Sequence, residues 1–213
     1  VLERPSLAEQ LRQKRSETVI SELESTALRL FEERGFGEVT VQEIADEARI
    51  SVRTFYRYFP TKEDVLQRRL DQRSDALRAA LAHRPVEETP LHALRAALAE
   101  VVSAEDAVLL RRWISVVATT PSLLRAVIGG IHLKTLRVIA EFFGARLGTS
   151  SDDLIPTVLA AATGGVLQAA HTQWFLHGGD LSTKISECLE VLERGVPSVV
   201  DDWLPTVVEG VSS

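Results

Sequence analysis

The segment that constrains the fold most is residues 40–64, TVQEIADEARISVRTFYRYFPTKED, because its punctuation leaves room for only two short helices. Thr40 with Glu43 three residues on is a capping-box pattern and opens the first of them. Val41, Ile44, Ala45 and Ala48 give it one apolar face. Ser51 is a favoured N-cap type and opens the second. Pro60 closes it, having no amide donor and restricting the residue before it. Thr61 with Asp64 then restarts a helix.

The rest of the chain carries the same signals. Ile20, Leu23, Ala27, Leu28 and Phe31 recur at spacings of three and four over a first helix from Glu9 to Arg34, which Gly35 stops in a left-handed turn. A fourth helix runs from Thr61 to about His83, and HRPVEETP reads as the clearest linker. Further helices are expected near Leu91–Val102, Asp106–Thr119, Leu123–Leu147, Asp152–His177 and Leu181–Arg194, punctuated by Pro121, Gly148 and HGGD. No convincing period-two run reads as a strand. The expected fold is therefore all-α, with about nine helices.

With a formal charge of −6, composition confers no general affinity for polyanions, so any nucleic-acid contact needs a local patch. Cys188 is the single cysteine, which rules out an internal disulfide and suits a reducing cytoplasm. The opening VLERPSLAEQLRQKR lacks the apolar run of a signal peptide. Leu154 to Gly179 holds no Asp, Glu, Lys or Arg and is long enough to cross a bilayer. Pro156, Gln168, His171, Gln173 and His177 interrupt it and no basic flank follows, so a helix buried within a soluble protein or dimer is the better reading.

The second short helix gathers Phe55, Tyr56, Tyr58 and Phe59 with Arg53 and Arg57 threaded among them. At one hundred degrees per residue, Val52, Phe55 and Phe59 share one side with Tyr56 at its edge. Arg53, Thr54, Arg57 and Tyr58 fall on the other. Taken alone, that face could be a solvated amphipathic surface. The three- to four-residue gap between two short capped helices is helix-turn-helix spacing, in which the second helix enters the DNA major groove. Arg12, Lys14 and Arg15 add a second positive patch.

The stretch ALRLFEERGFGEVTVQEIADEARISVRTFYRYFPTKEDVL resembles the N-terminal domain of the tetracycline-repressor (TetR) family of bacterial transcription regulators. The likeness rests on the apolar helix ending in Gly-Phe, on Thr-Val-x-x-Ile-Ala, and on Tyr-x-Tyr-Phe-x-x-Lys. It implies a helix-turn-helix domain over residues 1–60, with the motif at 40–59, and a helical ligand-binding and dimerisation domain over 61–213. By position, it implies base contacts from Gln42, Arg53, Thr54 and Tyr58, and phosphate contacts from Thr40, Tyr56 and Lys62. Arg49 departs from the family, which usually has glycine at that turn. A left-handed arginine there is expected to cost about 1 kcal/mol.

In the larger half the resemblance implies a four-helix dimer interface from the last two helices. LAAATGGVLQAA supplies small residues for close approach, with Ala161, Gly165 and Ala169 as candidates. An internal core helix of a monomer is the alternative. Candidate effector contacts are Trp113, His132, Gln168 and His171, against the plainer reading of satisfied core residues. The expected partners are double-stranded DNA with an inverted repeat, a second copy of the chain and a small effector, with no cofactor, metal or membrane. A DNA-binding regulator without a ligand is one rival. An enzyme is another, but no H-E-x-x-H, G-x-S-x-G or phosphate-binding glycine loop occurs, and His171 and His177 face different sides of one helix.

Overall fold

The computed structural model describes residues 6–104 and 106–195, and those residues form nine α-helices with no strand. They are α1 (Leu7–Arg34), α2 (Val41–Glu47), α3 (Val52–Tyr58), α4 (Asp64–Ala82), α5 (Pro90–Ser103), α6 (Ala107–Thr119), α7 (Pro121–Leu147), α8 (Leu154–His177) and α9 (Leu181–Arg194). The expected punctuation is present. The Thr40 hydroxyl accepts from the Glu43 amide, and the Glu43 carboxylate accepts from the Thr40 amide at 2.8 Å. Ser51 accepts from the Thr54 amide at 3.1 Å. The Asp64 carboxylate accepts from the Thr61 amide at 2.7 Å, although the helix itself starts only at Asp64.

The described residues fall into two compact units. One comprises 6–70 and 106–128, the other 71–104 and 129–195. In the first unit α1 packs on α2 and α6, and α2 packs on α3. Leu23, Ala27 and Phe31 of α1, Ile44 and Ala45 of α2, Phe55 of α3, then Phe59, Val65 and Leu66 are all buried. Burying one such large side chain stabilises a fold by about 1.5–3 kcal/mol. Arg29 bridges from α1 to Glu47 of α2 at 2.5 Å, and Arg112 of α6 reaches Glu32 of α1 at 2.7 Å.

In the second unit α9 packs on α8 and α5, and buries Leu181, Ile185 and Leu189. α8 buries Pro156, Ala160, Thr163, Gly164, Leu167, Ala170 and Trp174. Its other face is open within one chain, where Leu154, Ile155, Val158 and Leu176 are all more than half exposed. The segment expected as a linker lies inside this unit and is fastened. The Arg146 guanidinium donates to the carbonyls of Arg84, Pro85, Val86 and Glu88, at 2.6 to 3.3 Å. At the end of α7 the chain turns so closely that a Cβ on Gly144 would lie 3.0 Å from Ser151 N and Thr149 O.

Candidate nucleic-acid interface

The interface is built from α2, the turn after it, and α3. The turn is fixed by two backbone bonds, Arg49 N to Asp46 O at 3.1 Å and Ile50 N to Ala45 O at 2.9 Å. That pair is the Schellman arrangement, which requires its central residue in the left-handed region. Arg49 occupies it with φ of 56°, the one non-glycine residue at positive φ among those described. The expectation from the missing glycine therefore holds.

α3 divides as its periodicity dictates. Phe55 is fully buried and Phe59, just past the helix end, is 1% exposed; their ring centroids lie 5.6 Å apart. Arg53, Tyr56 and Arg57 are exposed, and Thr54 and Tyr58 are half-buried. Arg53, Thr54, Tyr56 and Arg57 line one open hollow on this surface. Tyr56 sets its ring edge-on to Phe55 at 5.7 Å, so its orientation follows from the core. The Thr54 and Ser51 hydroxyls share a hydrogen bond of 2.8 Å.

Tyr58 is held from two sides. Arg57 lays its guanidinium 4.6 Å over the ring and donates to the hydroxyl at 2.9 Å. Ser16 of α1 hydrogen-bonds the same hydroxyl, and that bond, with Arg57, lowers the phenol pKa. On α2, the Gln42 amide donates to Asp46 at 2.8 Å and is exposed. Thr40 is exposed, but its hydroxyl and amide both serve the cap. That amide bond, then Arg34 and the Thr40 hydroxyl, hold the Glu43 pKa down to about 2.

Lys62 stands apart from the other residues assigned to DNA. Its ammonium donates to Phe36 O at 2.6 Å and Val39 O at 2.8 Å, and lies 4.2 Å over the Phe36 ring. An ammonium has three donors, and two of them close the α1–α2 loop. Both partners lie more than twenty residues away in sequence, so no local pattern could have shown the clasp.

The residues expected around an effector are dispersed. Trp113 is buried in the first unit and donates its indole N–H to Leu66 O at 3.2 Å. That satisfies its one polar group, the plainer of its two readings. The His132 side chain lies outside the described residues. Gln168 is exposed on α8. His171 faces α4: its Nδ1–H donates to Leu167 O at 2.7 Å, and its Nε2 accepts from Arg73 at 3.1 Å. That geometry assigns the neutral tautomer, and desolvation with the Arg73 charge holds the pKa down to about 4. Nearby on α4, buried Ser74 meets Thr135 of α7 at 3.3 Å. Polar groups of α4, α7 and α8 thus converge in the second unit, a grouping that needed long-range geometry to find.

Residues 24–68 match the family model for bacterial regulatory proteins of the tetR family, and residues 88–197 match the MftR C-terminal domain. HTH-type transcriptional regulator TcmR of Streptomyces glaucescens is 30% identical over 203 residues, covering 91% of this chain and 89% of that protein. Among solved structures, the fatty acid degradation regulator FadR of Bacillus halodurans superposes with a TM-score of 0.62 at 19% identity, covering 84% of this chain and 96% of that one. Thermus thermophilus FadR, a repressor solved with lauroyl-CoA, gives 0.50 at 24% identity, covering 83% and 94%. At these identities the structures speak for the fold alone.

Proposed function

This chain belongs to the TetR family of bacterial transcriptional regulators, and on that premise we propose a ligand-responsive repressor that binds an inverted-repeat operator as a dimer and is released by a small, apolar-bodied effector. The observation that carries the DNA half is the division of α3, with Phe55 and Phe59 in the core and Arg53, Thr54 and Tyr58 turned away from it. A rigid buried edge lets the exposed edge meet base edges in a fixed register. In this reading Gln42, Arg53, Thr54 and Tyr58 read bases, and Thr40 and Tyr56 touch phosphates.

The dimer half is supported by α8. Its open face carries Leu154, Ile155, Val158, Ala161, Gly165, Ala169 and Leu176, spaced along one side with no charge among them. Two such faces bury each other without stranding a polar group. The effector half is supported by the convergence of Arg73, Ser74, Thr135 and His171 beside buried Leu77 and Leu81. A mostly apolar body with one polar end fits such a lining. The protein acts in the cytoplasm, where the DNA is, and catalyses nothing. The test is an anisotropy titration against inverted repeats from DNA flanking the gene. The expected result is saturable binding with two chains per duplex; binding at non-specific strength to every repeat overturns the operator reading.

A further inference from the structure

The first turns of α1 precede the part of the chain that the N-terminal family model covers, and that model assigns them nothing. They nonetheless touch the recognition helix. Ser16 hydrogen-bonds the Tyr58 hydroxyl at the C-terminal end of α3. Arg12 lies one helical turn before Ser16 and so shares its face, while Arg15 is its immediate neighbour. Arg12, Lys14 and Arg15 are all exposed. In a chain of net charge −6, three cations within four residues are a local reversal of sign beside the element that enters the groove.

The position decides what they meet. A recognition helix reads bases from its first turns, and the far end of such a helix runs out beside the sugar–phosphate wall. Groups fastened to Tyr58 therefore approach phosphates rather than base edges. Lys62, the cation that resemblance assigns to the backbone, has two of its donors committed to Phe36 O and Val39 O. Moving it to a phosphate would strand two carbonyls and open the loop between α1 and α2.

We propose that the N-terminal turns of α1 form a second DNA contact, in which Arg12, Lys14 and Arg15 neutralise backbone phosphates at the wall of the groove that α3 enters, while Lys62 positions the motif and touches no phosphate. The proposal rests on the DNA-binding reading, but not on any operator sequence. Phosphate contacts carry no sequence information, so they act equally on operator and random duplex.

The experiment is the salt dependence of binding to a random-sequence duplex, read by anisotropy on the full chain. Each neutralised phosphate contributes a slope of about −0.9 in log K against log salt. The triple variant R12Q/K14Q/R15Q should flatten the slope by about 2–3 and weaken binding at least about tenfold at low salt. The charge-conserving R12K/K14R/R15K should keep the wild-type slope. K62M should also keep it, while its melting temperature falls. A triple variant with native circular dichroism and the wild-type slope overturns the second contact. K62M losing about one phosphate's worth of slope with an unchanged melting temperature overturns the clasp. A wild-type chain that binds no duplex at all overturns the DNA-binding reading itself, a result distinct from binding with an unaltered slope.

Discussion

Arg49 carries a backbone conformation that glycine would adopt at less cost. The left-handed region costs an L-residue about 1–2 kcal/mol, and glycine returns part of that as unfolded-state entropy. Arg49→Gly should therefore stabilise the chain by roughly 0.5–1 kcal/mol in urea unfolding. A loss of stability instead would mean that the guanidinium makes an offsetting contact. On α3 the residue scale separates binding from folding. Arg53→Ala should leave the melting temperature in place and weaken operator binding by about 1–3 kcal/mol. Phe55→Ala should cost about 3–5 kcal/mol of stability, since its ring is fully buried. Wild-type operator affinity in Arg53→Ala would remove it from the base readers. These residues were legible because period and capping act within one or two turns. Lys62 and Trp113 were not: their partners are Phe36, Val39 and Leu66, brought to them only by the fold.

Element boundaries were legible for the same reason, since proline, glycine and N-cap chemistry act locally. Which face of α8 packs was not, because the helix is apolar nearly all round. The segment 83–89 was read as a linker from its prolines and charges, and the distant Arg146 turns it into a fastened loop. Two predictions belong at this scale. If the open face of α8 is a subunit interface, Ala161→Glu or Ala169→Glu places unpaired carboxylates in it, and sedimentation at micromolar concentration should show monomer where the wild type shows dimer. A dimer unaffected by either change would place the interface elsewhere. The second concerns the contact between α4 and α8. The folded chain holds His171 neutral with a pKa of about 4, against 6.5 ordinarily. Between those values the unfolded chain binds the proton and the folded chain does not. Stability is then complete above pH 6.5 and falls as pH drops toward 4. His171→Gln should flatten that part of the stability–pH curve, and an unchanged curve would mean that Arg73 does not confront an imidazole there.

At the scale of the whole molecule, α4 belongs to both compact units: Asp64–Leu70 falls in one and Asp71–Ala82 in the other. Each portion is tied to its own unit. Arg68 lies 3.1 Å from the buried Glu24 of α1, and Leu66 O takes the indole of Trp113. Farther along, Arg73 meets His171, Ser74 meets Thr135, and Arg78 reaches Glu141 at 3.3 Å. A ligand that prefers one arrangement of Arg73 and Ser74 can bias only the states that differ in that arrangement. Because α4 is continuous, such states need not be equal in their affinity for DNA. Two recognition helices of a dimer must meet successive major grooves about 34 Å apart, so a small change in either head changes the match. Linkage then requires reciprocity: an effector that weakens operator binding must itself be weakened by operator to the same factor. For a coupling of about 1–3 kcal/mol that factor is 5- to 150-fold. The measurement is effector affinity by calorimetry, with and without saturating operator, for a compound found by thermal shift. Weaker binding in the presence of operator, by the factor with which the compound lowers operator affinity, is the expected outcome. Equal affinities for a compound seated against Arg73 and His171 would leave a DNA-binding regulator whose switch lies elsewhere.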